Sequence, residues 1–559
     1  MTKTDKESIT VYCKNNDLYK EVPIGSSLSE IYVMLGAPLH YRPLGARVNN
    51  RVESLTYRCW NPKDIDFVDY THPSGYRIYL RSLCFILVKA VYDLYPDTPF
   101  NLEHPVSKGF YCAFENRRKL TQEDVTRIKQ RMQELINADL PFKMRNVRTS
   151  DAMATFYERG MNDRALLIET AGMAYTSYYE LDGYIDYFYG SLVPSSGYIH
   201  LFDLVPYSDG ILLQIPQRDN VHELYPMVRQ DKMFHAYKEH LELQRTIGVN
   251  YVGDLNRAIS VGDARKIIMV SEAMQEKQIA HIAEEIASRY NEGVRVVLIS
   301  GPSSSGKTTF CKRLEVQLIT NLLHPVGISL DDYYVNREDT PKDDEGEYDF
   351  ESLYAIDLPY FHSDLRKLIA GKEIEIPSFD FEQGRRVFRG DKLQIQKNSV
   401  LILEGIHGLN PELTSHLPPE NIYRIYVSAL TTISLDGHNW IPTTDNRLLR
   451  RIVRDYRSRG YSARETIAMW PKVRHGEDKW VFPYQENADA MFNSAMIYEL
   501  AVLRKFAEPI LSEIREKDAE SAEAYRLLRF LRYFNYIPLE ELPVTSLLRE
   551  FLGGGVFQY

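Results

Sequence analysis

Five cysteines in 559 residues, none of them in a C-x-x-C pair, leave no basis for a disulfide framework or a thiolate metal site. Cys13, Cys59, Cys84, Cys112 and Cys311 are scattered along the chain, which fits a reducing compartment. No run of about 18 apolar residues occurs, so no membrane-spanning helix is expected. The opening MTKTDKESITV carries charges where a signal peptide needs an apolar stretch, so a cytoplasmic protein without a membrane partner is expected. Basic charge is in deficit too: 67 Lys and Arg stand against 77 Asp and Glu, a net −10. That balance weighs against a protein that coats nucleic acid, although a local basic site can still hold phosphates. Pro and Gly are not enriched, and no low-complexity tract or fixed-period repeat is visible. With 44% hydrophobic and 26% charged residues the composition is that of an ordinary globular protein. The length exceeds what one core can fill, so about two to four domains are expected.

Residues 9–68 alternate short β-like runs with turn signals, the size of a β-grasp unit over 1–70. Within it, Ser27 and Glu30 have the spacing of a helix capping box. Residues 71–227 mix helical patterning at 83–95 and 121–138 with strand-like runs such as 210–216, predicting an α+β module. Charged helical segments at 228–246 and 263–289 predict a helical linker over 228–290. After 293 the texture turns to strand, glycine loop, helix, strand, helix, predicting an α/β domain with a parallel sheet over 291–510. Its buried strands are predicted at 294–299, 326–330, 400–403 and 422–427. A helical tail over 511–559 carries no chemistry that can be named, and reads as packing or a partner surface.

Gly301, Pro302, Ser303, Ser304, Ser305, Gly306, Lys307 and Thr308 fit G-x-x-x-x-G-K-[ST] between an apolar strand and a helix. Glycines let backbone N–H groups turn inward around phosphates, the helix N-terminus adds positive potential, and Lys307 reaches the β/γ oxygens. Thr308 is the predicted Mg²⁺ ligand, and Thr309 closes the ATP-binding stretch. A chance match in a Gly/Ser loop is the bland alternative, and the flanking strand and helix argue against it. Transfer to an alcohol further needs a group that takes the hydroxyl proton and a metal held against the phosphates. Asp331 ends the second parallel strand, where ligands sit in open α/β sheets, and is the predicted base. Paired acids that merely open a turn remain the alternative. Glu404 ends another strand and is predicted to hold Mg²⁺ or its water. Arg447, Arg450, Arg451 and Arg454 recur at i, i+3, i+4 and i+7, with Arg457 and Arg459 beyond; such a face clamps phosphates or is a solvated, salt-bridged stripe.

SGPSSSGKTTF, SLDDYY, YDFESLYAID, IPSFDF, LILEGI and RLLRRIVRDYRSRG, in that order over 294–495, resemble the uridine kinase (uridine–cytidine kinase) family of the phosphoribulokinase/uridine kinase group. The resemblance implies Asp331 as catalytic aspartate, and Tyr334, Glu351, Phe379 and Phe381 as nucleoside contacts. It also implies Arg451 near the ribose, Arg454 and Arg459 at the phosphates, Lys307 at the transferring group, and ATP with Mg²⁺. Two positions depart from the pattern: the ribose-contacting acid is Glu351 rather than Asp, and Gly384 stands where a base-contacting His is usual. The stretch WPKVRHGEDKWVFPYQENADAMFNS also differs from the compact members of the family.

VNNRVESL, LVKAVYDLYP with KGFYCAF, and DYFYGSLVPSSGYIHLFDL resemble the amino-terminal region of threonyl-tRNA synthetase, a TGS-like unit followed by an editing-type module. That module usually presents two His, a Cys and a further His able to bind metal and activate water. Arg81, Phe85, Phe188 and Leu192 stand there instead, so hydrolytic editing is not expected, and His72 and His200 read as structural. The readings left open are a nucleoside kinase, a kinase of a purine nucleoside or phosphosugar, and an RNA-binding regulatory protein that meets tRNA through its front half. The absence of an N-K-x-D tetrapeptide after the loop counts against a GTPase. A homo-oligomer is left open.

Overall fold

The computed structural model describes residues 7–116, 118–343, 345–380 and 383–558. The first sheet has five strands in the order Leu18–Pro23, Ser8–Cys13, Lys63–Val68, Gly45–Val48, Arg51–Glu53, with Ser8–Cys13 and Lys63–Val68 parallel at its centre. The helix Leu28–Leu35 packs Leu28, Ile31 and Leu35 into its core. That helix starts where the capping box places it: Glu30 N donates to Ser27 Oγ at 3.3 Å and Ser27 N donates to Glu30 Oε2 at 2.7 Å.

The second module sets a four-stranded antiparallel sheet (Asp203–Tyr207, Gly210–Gln214, Gly109–Phe114, Phe100–Val106) and a three-stranded one around the helix Pro73–Leu94. That helix is predicted only over its second half, because its first turns mix Ser74, Tyr79 and Ser82, which are nonetheless buried, with the half-buried Tyr76, Arg77 and Arg81. Arg81, Phe85, Phe188 and Leu192 come together there. Arg81 Nε donates to Ser191 O at 3.2 Å and the Phe85 and Phe188 rings lie 5.1 Å apart, so the place is filled by a guanidinium and two rings. His72 caps the helix through Nδ1, and His200 Nε2 meets Val221 O at 2.9 Å.

The third sheet is wholly parallel, in the order His324–Ser329, Ser399–Glu404, Val296–Ser300, Ile422–Ser428, Ala490–Asn493. Four of its strands lie where the apolar runs predict. The edge strand Ala490–Asn493 is too short and too mixed to announce itself. The helix Ala264–Tyr290, read from sequence as linker, lays Ile279, Ile282 and Ile286 against this sheet's core. An antiparallel hairpin, Ile374–Asp380 with Arg385–Leu393, stands beside the sheet.

The halves are joined through residues 429–442, which leave the strand Ile422–Ser428 and lead to the helix Thr443–Ser458. This segment is buried against the second module. Gly437 N donates to Asp163 Oδ2 at 2.8 Å, Leu102 N donates to Gly437 O at 2.9 Å, and the His438 ring meets the Asp186 carboxylate and Phe100 O. A second tie runs from Arg77 through Glu523 and Arg526 to Asp445 at the start of that helix. Among the described residues no helix is long and apolar enough to cross a membrane.

Candidate active site

The loop 301–306 is shaped by contacts that leave no room for larger residues. A Cβ on Gly301 would lie 2.0 Å from Val427 O, and one on Gly306 2.5 Å from Leu547 Cδ2. Ser304 (φ 58°) and Gly306 (φ 85°) are both left-handed, which turns successive amides toward one concavity ahead of the helix Lys307–Thr320. Lys307 Nζ donates to Gly301 O at 3.0 Å and lies over the loop. The hydroxyls of Ser304 and Ser305 are buried and meet no hydrogen-bond partner among the described residues. Unmet donors in a concave, amide-lined loop fit a phosphate guest.

The loop is held from outside by the arginine helix. Arg447 Nε donates to Ser303 O at 2.9 Å, Arg450 Nη1 to Ser304 O at 3.3 Å, and Arg451 Nη1 to Ser303 Oγ at 2.8 Å. The stripe is therefore not one phosphate-clamping face. Arg447 and Arg450 are buried and engaged, the first by Glu477 and the second by Glu499 at 2.6 and 2.7 Å. The helix also buries Leu448, Leu449, Ile452 and Val453, so it is enclosed on most sides, and guanidiniums survive there only when paired. Arg454 rests on Asp455 at 2.9 Å, and Arg459, half exposed at the helix end, lies 3.7 Å from the same carboxylate. These two keep donors for a ligand. Glu477, unsuspected from sequence, joins the pieces: its carboxylate accepts from Arg447, from Arg474 Nη1 at 2.9 Å and from Ser303 N at 2.8 Å.

The tail, read from sequence as packing or partner surface, forms part of the loop's wall. Leu547 backs Gly306, and Glu550 Oε2 accepts from Thr309 N at 3.1 Å and Thr309 Oγ1 at 2.7 Å. Thr309 thus serves the tail rather than offering its amide and hydroxyl to a nucleotide. Arg457, in turn, donates to Phe551 O and Glu550 O, both at 3.1 Å. No local pattern signals these contacts, because each joins residues over ninety positions apart.

Across the loop stand three carboxyl groups. Asp331 lies in the short helix Leu330–Tyr333, its amide donating to Ser329 Oγ at 3.3 Å. Burial raises its pKa; the Tyr334 hydroxyl hydrogen bond and the charges of Lys307 and Arg459 oppose that rise. Glu404, in register with Ile299 and Ser329 on neighbouring strands, is raised to about 7 by burial, with Lys307 opposing and the Asp331 and Glu550 charges adding. Glu351 is also raised to about 7 by burial and the charge of Glu477, with Arg451 opposing. It packs against Gly476, where a Cβ would come within 2.4 Å of Glu351 Cβ.

Both glutamates hold protons in the folded chain that an unfolded chain, with carboxyls near 4.5, releases. Stability is therefore expected to fall as pH rises from about 4.5 to 7 and to level off above that. Urea midpoints between pH 5 and 8 check this: Glu404→Gln should flatten the slope, and an unchanged slope would show that Glu404 does not titrate in that window.

Tyr334 and Phe379 meet edge to face at 5.6 Å, and Phe379 N donates to Asp332 Oδ1 at 3.2 Å, tying the hairpin to the Asp331 turn. Phe381, the other predicted aromatic contact, lies outside the described residues. Gly384 (φ 65°) closes the hairpin; a Cβ there would come within 2.7 Å of Arg337 Nε, so a histidine cannot take its place without moving Arg337.

Loop, lysine, carboxylates and arginines thus converge at the carboxyl ends of parallel strands. Residues 296–500 match the phosphoribulokinase/uridine kinase family. Solved structures to which part of the chain is similar include one described as a possible uridine kinase from Bacillus stearothermophilus (19% identity, 39% of this chain, 98% of that one, TM-score 0.27). Another is D-glycerate 3-kinase from Cryptococcus neoformans (16% identity, 51% and 90% coverage, TM-score 0.22). The front of the chain is similar to threonine–tRNA ligases, at 25% identity over 224 residues with that of Geobacter sp. (strain M21) and 29% over 180 residues with that of Methylobacillus flagellatus. These stretches are 40% and 32% of this chain but only 35% and 28% of the ligases.

Proposed function

We propose that the protein transfers the γ-phosphate of ATP to the 5′-hydroxyl of a nucleoside. The observation that carries this reading is the place of Asp331, in the turn that follows the parallel strand His324–Ser329, its carboxyl bonded to Tyr334 and within the field of Lys307 and Arg459. A carboxylate so placed takes a hydroxyl proton more readily than one in water. Lys307, Arg454 and Arg459 face the charge that spreads over the moving phosphoryl oxygens. Thr308 and Glu404 are the residues that would hold Mg²⁺, an ion that usually keeps few protein ligands and completes its shell with phosphate oxygens and water. When bound it would neutralise charge on the phosphates. The Tyr334 and Phe379 rings suit a flat base, while Glu351 and Arg451 suit ribose hydroxyls.

The hairpin around Gly384 offers no imidazole to a pyrimidine, so a purine nucleoside or a phosphosugar stays a live alternative acceptor. Release of ADP with ATP and a panel of uridine, cytidine, adenosine, guanosine, ribose and ribulose 5-phosphate tests the reading. Stimulation by a nucleoside at least tenfold above the ATP-only rate supports it. Stimulation by the phosphosugar alone would replace it. Cytoplasmic placement is supported by five buried cysteines without disulfide partners.

A further inference from the structure

Away from the phosphate loop, a cavity of ≈ 250 Å³ lies where the two halves meet. One wall is the strand Phe100–Val106, a second is the helix Asp231–Ile247 with Tyr251, and the roof is the kinase segment from Thr432 to Gly437. That roof is fixed on both sides, by Val252 N donating to Ser434 O at 3.0 Å and by Leu102 N donating to Gly437 O. Gln244 lines the cavity at 1% exposure, yet neither its Oε1 nor its Nε2 meets a partner among the described residues. Buried amides are nearly always satisfied, so an amide with both atoms unmet at a cavity wall points to a guest with one donor and one acceptor. The strand wall buries the Glu103 carboxylate, and Thr432 and Ser434 in the roof add hydroxyls. At the mouth Glu115 and Arg245 are exposed.

We infer that this cavity binds a small molecule carrying a primary ammonium group next to an oxygen acceptor. The ammonium donates to the Glu103 carboxylate and to Gln244 Oε1, and Gln244 Nε2 donates to the guest's oxygen. An anion is disfavoured by the carboxylates, and an apolar guest by the polar lining. The volume is below the range usual for drug-sized ligands, about 300–1,000 Å³, so a metabolite-sized guest fits and a nucleotide does not. Arg245 offers a second pole at the mouth, which favours a zwitterion such as a free α-amino acid over an amino alcohol or amino sugar. A guest there touches the front half, the connecting helix and the kinase segment that runs into the arginine helix.

Calorimetric titration of the full chain with each of the twenty common L-amino acids, and with ethanolamine and glucosamine, tests this. The expected result is 1:1 binding of at least one compound, weakened at least tenfold by Gln244→Leu and unchanged by Asp331→Asn. Arg245→Ala, at an exposed position that leaves folding untouched, should weaken a carboxylate-bearing guest and spare an amino alcohol or sugar. Binding of none of these compounds means the cavity holds water only and overturns the inference. Binding that Gln244→Leu leaves intact, or that Asp331→Asn removes, places the guest elsewhere and overturns it equally.

Discussion

Asp331→Asn is expected to lower turnover by about 10²–10⁴-fold, the usual contribution of a positioned general base, while ATP binding stays within about twofold. Asp331 shares a hydrogen bond with Tyr334 and feels the charges of Lys307 and Arg459, so it stands between the aromatic pair and the phosphate loop. An amide keeps the volume and the Tyr334 contact but cannot accept a proton. The loss should therefore fall on kcat with KM for ATP little changed. Pre-steady-state ADP formation with the nucleoside that emerges from the panel is the measurement. Full turnover with the amide would remove Asp331 from the reaction and return it to the role of a turn-forming acid.

Glu477→Ala is expected to destabilise the parallel-sheet half by about 3–5 kcal/mol, the range found when one partner of a buried ion pair is removed. Arg447 is 1% exposed and loses its carboxylate, Arg474 loses a 2.9 Å bond, and the Ser303 amide loses its acceptor. The effect reaches ATP binding as well, because Ser303 belongs to the phosphate loop. The denaturation midpoint and nucleotide affinity should fall together. Adding Arg447→Met to Glu477→Ala should restore much of the stability, since removing both partners leaves no unpaired charge. A single variant as stable as the parent would show that water already reaches Arg447.

The glycine loop, four of the parallel strands and the first helix are legible from sequence because each signal is local: a fixed spacing, an apolar run, a capping box at Ser27 and Glu30. Asp331 and Glu404 follow from the same logic, as acids at the ends of predicted parallel strands. The arginine helix is where local reading stops. Its i, i+3, i+4, i+7 spacing looks like one exposed stripe, yet Arg447 and Arg450 turn inward because Glu477 and Glu499 wait for them. A periodic pattern reports which residues share a face and says nothing of what that face meets. The burial of residues 429–442 against the front half and the contact of Glu550 with Thr309 are hidden for the same reason, being pairings across long stretches of chain.

The wall that Leu547 and Glu550 give the phosphate loop also sets an order of events during synthesis. A ribosome that has released the first five hundred residues has delivered the glycine loop, its strand and its helix, but not the side chain that backs Gly306 or the carboxylate that engages the Thr309 amide. Nascent chains halted before residue 547 should fail to retain ATP while chains released beyond 556 hold it, so that nucleotide capture waits for translation of the tail.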